Sequence, residues 1–262
     1  MTKKLLLGFL AVSVGLLVGS TKSSAEYQGG TPGTGSISGV VTLKGAAPAP
    51  IMQNLKNEKN PEFCTKHPDT NKDGVRPIHK VAVKDGKLMN AVIFIENIEK
   101  GKDWAKDPVK VDFKDCDIHP RMTIARKATK ENVMVIENQD TDILHNPHGY
   151  NVKGAARTTL FNKPLPSKGA TVEVSKDFAR FKEGKDDHFF LQCDQHNFME
   201  ADGRIVWNPY YAVSAADGTF KIDQVPAGSY KVTVWQPYVG SVTKDVTVAA
   251  GDVKTDFELA AK

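Results

Sequence analysis

The chain has 262 residues, 40% of them hydrophobic and 25% charged, with 35 basic against 31 acidic side chains. That length makes one large domain or two ordinary ones. The near balance of interspersed charge gives no electrostatic case for nucleic acid, and three cysteines are too few for a scaffold built from disulfides.

At the start, Lys3 and Lys4 precede an apolar run over residues 5–18, shorter than the ~20 residues that span a bilayer. Small side chains at Ser23 and Ala25 suit a signal peptidase, so residues 1–25 read as a signal peptide cleaved after Ala25. The mature protein is then expected to be periplasmic or secreted, with no membrane attachment; an uncleaved anchor is the alternative. Loss of Lys3, Lys4 and Lys22 with that segment brings the charge close to zero. Residues 26–35, with four glycines and Pro32, read as a flexible lead-in.

The remainder is written in strands. Residues 36–43, 91–95, 133–137, 188–192, 204–207 and 231–235 are rich in β-branched and aromatic side chains, and Gly, Pro, Asn or Asp bound each run. The pattern predicts an all-β fold of sandwiches or barrels, with helical turns at most over 103–106 and 176–181. Residues 46–76, rich in Pro, Asn, Lys and Asp, form an unsettled stretch. Asp69, Asn71 and Asp73 within it have part of a calcium-loop spacing but lack the later ligand positions and flanking helices, so a polar turn is expected.

Toward the end of the chain, Asp217-Gly218 leads into a strand with Phe220, and Pro226-Ala-Gly228-Ser-Tyr230 turns a corner into another. With Gly39-Val-Val41 and the segment from Gly86 to Val92, this resembles the carboxypeptidase regulatory-like family, a small transthyretin-like β-sandwich. The two halves flank a long intervening stretch. The resemblance implies one sandwich in two parts, 36–100 and 209–262, with a second domain, 101–208, inserted between them; a tandem arrangement is the alternative.

The intervening stretch carries the chemistry. Cys193, His196 and Met199 follow a strand within seven residues, and His145-Asn146 follows the strand 133–137 and the turn 138–140. Two imidazoles and a thiolate in a plane with a long axial thioether suit both Cu(I) and Cu(II), so a centre built this way rearranges little when an electron arrives. One ligand must come from a distant segment, because a single loop cannot surround the ion. The pattern resembles the cupredoxins, in particular members with a short, amicyanin-like ligand loop, over roughly residues 108–207. It departs from many of them in having Asn197 where they have proline. The resemblance implies a Greek-key β-sandwich with His145, Cys193 and His196 as strong copper ligands and Met199 as the axial one. It also implies Asn146 as a clamp between the two ligand segments. A zinc-site fragment is the rival for Cys193 and His196, but no second Cys/His pair stands at zinc spacing.

Cys64 and Cys116 are expected to pair, tying the stretch 46–76 to the start of the insert; an accessory copper site with His119 or His67 is the alternative. His148 and His188 read as surface histidines. The function implied is outer-sphere transfer of single electrons by a monomer to c-type cytochromes or copper oxidoreductases. Its docking edge would be His196 at the surface, with Asn197, Phe198 and Pro147. Copper storage or delivery, or an interaction module with a structural metal, are the alternatives. An enzyme is not expected, since four ligands leave no open metal position.

Overall fold

The computed structural model describes residues 26–261, so the segment read as a signal peptide lies outside it. Among the described residues no helix is long and apolar enough to cross a membrane. The fold is all-β, two sandwiches with a few short helical turns.

In one sandwich, a sheet runs Tyr211–Val213, Val92–Ile95, Gly228–Gln236, Gly240–Val248. The facing sheet runs Thr219–Val225, Gly35–Lys44, Lys87–Leu88, Val83–Lys84, and Gly251–Lys254 and Phe257–Ala260 both lie parallel to Gly35–Lys44. Strands from before residue 96 and after residue 210 therefore share one core, which holds Ile37, Val41, Ile93, Ile95, Phe220, Ile222, Val232, Val234 and Phe257. The alternation in Thr219–Val225 shows why: Phe220 and Ile222 face inward while Lys221 and Asp223 face water. Asp85-Gly86, with φ of 50° and 73°, closes the hairpin between Val83–Lys84 and Lys87–Leu88. Such two-residue turns need positive φ at both positions, which Asp-Gly supplies at low cost.

The second sandwich lies within residues 109–206. One sheet runs Asp117–His119, Val109–Lys114, Met134–Asn138, Thr171–Glu173; the other runs Met122–Arg126, His196–Val206, His188–Cys193, Pro147–Lys153, Ala156–Asn162. Its core holds Val111, Phe113, Met134, Ile136, Phe178, Phe189, Leu191 and Met199, each fully buried side chain contributing ~1.5–3 kcal/mol. Gly203 is paired with Phe189 across two strands, and the phenyl ring occupies the place a Cβ would take. The sandwiches meet through Val92, Met122, Ile124 and Val206, flanked by Phe94, Trp104 and Trp235.

Three segments differ from the sequence expectation. Gln28–Gly30 is a strand parallel to Lys100–Lys102, not a free lead-in. Tyr27 anchors it: the hydroxyl donates to the Lys102 carbonyl at 2.5 Å, and the ring packs edge-on against Trp104 and Tyr210. Residues 103–106 form no helix; the carbonyls of Ala105 and Asp107 instead accept from the Arg126 guanidinium. The stretch 46–76 is ordered: strands Ile51–Asn54 and Val75–Ile78 pair, enclosing a 3-10 turn, Leu55–Asn57, and a one-turn helix, Pro61–Cys64. Its polar turn closes as expected, with Asn71 Oδ1 accepting from the amides of Asp73 and Val75. Leu55, Cys64 and Ile78 are buried in the core of the second sandwich.

Candidate metal centre

Strand pairing creates the centre. Pro147 lies opposite Cys193, so His145 and Asn146, just before it, reach the end of the strand His188–Cys193. Asp194-Gln195 then turns the chain back and sets His196 opposite Cys193. The Nδ1 atoms of His145 and His196 come within 3.6 and 3.7 Å of Cys193 Sγ, and all three residues are 0% exposed.

The outward nitrogens are occupied too. His145 Nε2 lies 2.9 Å from Asp140 Oδ2 and His196 Nε2 lies 3.1 Å from Asn60 Oδ1. An acceptor on Nε2 holds the ring proton there and leaves Nδ1 as a lone pair. Both Nδ1 atoms thus face one sulfur, and the Asn146 amide also points at it from 3.4 Å. An ion bonded in a plane to nitrogen at ~2.0–2.1 Å and sulfur at ~2.3 Å holds such donors about 3.7 Å apart. The donor set and its spacing fit a soft or borderline metal ion.

The electrostatics agree. Burial pushes the Cys193 thiol up, but hydrogen bonds from His145, His196 and the Asn146 amide outweigh it and hold it at about 6. Burial pulls His145 down, yet Asp140 and Cys193 together leave it raised. Asp140 would be raised by burial; His145 and the amides of Cys116 and Asp115 bring it below the usual carboxylate range. Without metal, a proton shared along Asp140, His145 and Cys193 balances the charge that a cation would balance instead.

Of the residues read from the sequence, His145, Cys193 and His196 converge as donors. Met199, fully buried three residues beyond His196, shares the core cluster with Cys193. Asn146 joins the two ligand segments: its side-chain amide donates to Asp194 Oδ2 at 3.3 Å, and its carbonyl accepts from the Asp194 amide at 3.0 Å. The sequence does not single out Asp140 or Asn60. Asp140 had a signal in the turn 138–140, where buried Asn138 accepts from the Asp140 amide and donates to the carbonyls of Ile143 and Leu165, ordering the loop before His145.

Cys64 and Cys116 form a disulfide. His67 and His119 stand beside Asp117, at 3.7 and 3.8 Å, and the bonded cysteines offer no thiolate for an accessory site with them. The expected docking edge is corrected: His196 is 0% and Phe198 7% exposed, Pro147 is buried, and only Asn197 of that patch faces water. At His196 the outward edge is met by Asn60, and Lys59 reaches Gln195 at 2.8 Å. Neither His148 nor His188 is a free surface group. His148 bonds Asp194, Tyr150 and Thr159, and His188 pairs with Asp202 at 2.9 Å against the Trp235 ring.

Compared with known proteins, residues 203–256 match the family described as polysaccharide lyase family 4, domain II. That span covers much of the part of the first sandwich for which the sequence resembled the carboxypeptidase regulatory-like family. No curated protein matches. Among solved structures, the chain is similar to the purple cupredoxin of Nitrosopumilus maritimus, at 18% identity over 37% of this chain and 99% of that one, TM-score 0.28. It is similar to an amicyanin mutant at 16% identity over 40% and 87%, TM-score 0.28. A copper-containing nitrite reductase from Thermus scotoductus SA-01 matches at 15% over 40% of this chain, TM-score 0.28, and the chain spans only 24% of that protein's length.

Proposed function

We propose that this chain is an exported type 1 copper protein that carries single electrons between periplasmic or extracellular redox partners. The observation that carries the reading is the buried convergence of two imidazole Nδ1 atoms on the Cys193 sulfur. Copper bound there would supply the Cu(I)/Cu(II) couple. His145, Cys193, His196 and Met199 would hold it, the sulfurs favouring Cu(I) and the imidazoles tolerating Cu(II). Asp140 and Asn60 hold the rings in orientation, so the ligands need not reorganise. With four side chains on the ion no position is left for a substrate, which makes the chain a carrier and not an enzyme. Partners of suitable chemistry are c-type cytochromes or copper oxidoreductases, met through small, quickly released interfaces.

A second reading, copper retention in the cell envelope without a redox partner, is favoured by one feature, the covering of His196. Visible and EPR spectra during Cu(II) titration, beside Cys193→Ser, test both. An intense thiolate-to-copper band that the variant loses is expected. Zinc binding alone, or a pale tetragonal copper spectrum unchanged in the variant, would overturn the assignment. Electron self-exchange too slow to measure in a protein with the thiolate band would favour retention.

A further inference from the structure

The residue that covers His196 does not come from the sandwich that holds the ligands. Asn60 lies in the long connection between Gly35–Lys44 and Val83–Lys84, 136 positions before His196. Its φ is 53°, the left-handed region that few non-glycine residues adopt. It stands at the N-cap of the helix Pro61–Cys64, where an asparagine side chain ordinarily accepts from the first-turn amides. Here it makes no capping hydrogen bond. Its Oδ1 turns instead to His196 Nε2, at 3.1 Å.

The same helix ends at Cys64, bonded to Cys116. Cys116 and Asp115 form a turn with φ of 52° and 55°, held by Asp140, which accepts from both amides at 3.0 and 2.5 Å. Asp140 is also the acceptor for His145 Nε2. The outward nitrogens of both imidazoles therefore end on one unit, cross-linked by the disulfide, and the two disulfide sulfurs lie within 4.8 Å of a His196 nitrogen.

We propose that residues 55–67 are a cap on the copper centre, in which Asn60 is a positioning residue for His196 and the Cys64–Cys116 disulfide keeps the cap shut. This rests on the copper reading above. With the cap closed, the Asn60 amide holds Nδ1 toward the ion and the backbone excludes water and competing ligands from the imidazole edge. The disulfide, not the ligand loop alone, then sets how fast the ion leaves.

The experiment compares the wild type with Asn60→Gly, Asn60→Asp and the double variant Cys64→Ala/Cys116→Ala. Glycine keeps the left-handed backbone and removes the acceptor; aspartate keeps an acceptor. The readouts are the rate at which excess bicinchoninate withdraws Cu(I), the position of the thiolate band, and the melting temperature of the metal-free protein. Asn60→Gly and the double variant are expected to release copper at least about tenfold faster, a difference of ~1.4 kcal/mol in barrier. The band should shift in Asn60→Gly, its melting temperature should hold, and Asn60→Asp should restore the wild-type rate. Release from Asn60→Gly within twofold of wild type, or from a folded double variant at the wild-type rate, would overturn the cap. If the double variant does not fold, Asn60→Gly decides alone.

Should the wild type lack a thiolate band, the copper reading fails, and long-range ¹H–¹⁵N spectra of the metal-free protein still test the cap. A protected Nε2–H on His196, lost in Asn60→Gly, supports it. An unprotected Nε2–H in the wild type overturns it.

Discussion

The two sandwiches fill their interiors differently. The one built from residues 35–95 and 210–260 packs aliphatic and aromatic side chains from both sheets, and its buried polar groups, Tyr210, Ser214, Thr233 and Gln236 among them, are uncharged. The one within residues 109–206 surrounds a comparable apolar core with buried Arg76, Asp117, Asn138, Asp140, His145 and His196. Burying such groups costs more than burying hydrocarbon unless every one finds a partner. The second interior offsets much of that cost by pairing these groups, His145 with Asp140 and His196 with Asn60. Arg76 donates to Asp117 and to the Cys116 carbonyl, and Arg121 donates to Asp117 at 2.6 Å. One interior stabilises mainly by burial of hydrocarbon; the other spends stability on holding charged groups in fixed directions.

The largest expected effect comes from breaking the polar pair. Arg76→Met removes one of the two guanidinium partners of buried Asp117 and leaves the Cys116 carbonyl without its donor; it should cost ~3–5 kcal/mol in urea unfolding, and adding Asp117→Leu should recover part of it. A loss below ~1 kcal/mol would mean that water reaches this network. In the apolar sandwich, Ile93→Ala should cost ~2–5 kcal/mol through the cavity it leaves, with no change in the copper band. A changed band would show that the two interiors are coupled through the Val92–Val206 contact.

Acid sharpens the same contrast. Burial pushes Asp117 up, but His67, Arg121 and Arg76 outweigh it and hold it at about 2. Its folded pKa lies below the unfolded value near 3.9, so its stabilising contribution is complete above about pH 4 and is lost as pH falls toward 2. About 2 kcal/mol of wild-type stability should vanish across that window. In Asp117→Asn this component should be absent, so the gap between the two proteins narrows as pH falls. A gap that stays constant from pH 4 to 2 would refute the assignment. Next in size, Asp140→Asn should weaken copper binding ~10–100-fold by loosening His145, read by competition titration, while Ile93→Ala leaves affinity unchanged.

These residues were unequally legible in the sequence. Cys193, His196 and Met199 stood out because one strand and one turn carry all three, and local spacing survives in a linear text. The strands were legible for the same reason, as in Thr219–Val225 with its inward Phe220 and Ile222. Asn60 was not, because what defines its role is a histidine 136 positions away, and its own surroundings of Lys, Asn and Pro read as loop. The burial of His196 was hidden with it. The apolar anchors of the covering segment are Leu55, Cys64 and Ile78, single residues without a strand or helix period to announce them. Tyr27 misled in the same way, since a glycine-rich flank reads as flexible until the ring finds Trp104 and Tyr210.

The smallest effect marks the baseline for the comparison. Lys231 and Asp245 face each other across the strands Gly228–Gln236 and Gly240–Val248 at 3.0 Å, both largely exposed. Water and salt screen such a pair, and ordering two long side chains offsets most of the attraction. Lys231→Ala should therefore change stability by less than ~1 kcal/mol and leave copper affinity untouched. This pair and Arg76–Asp117 are both ion pairs between distant positions, and they differ chiefly in exposure. If the two substitutions cost the same in urea, burial is not what gives the second interior its stiffness, and the contrast between the sandwiches loses its physical basis.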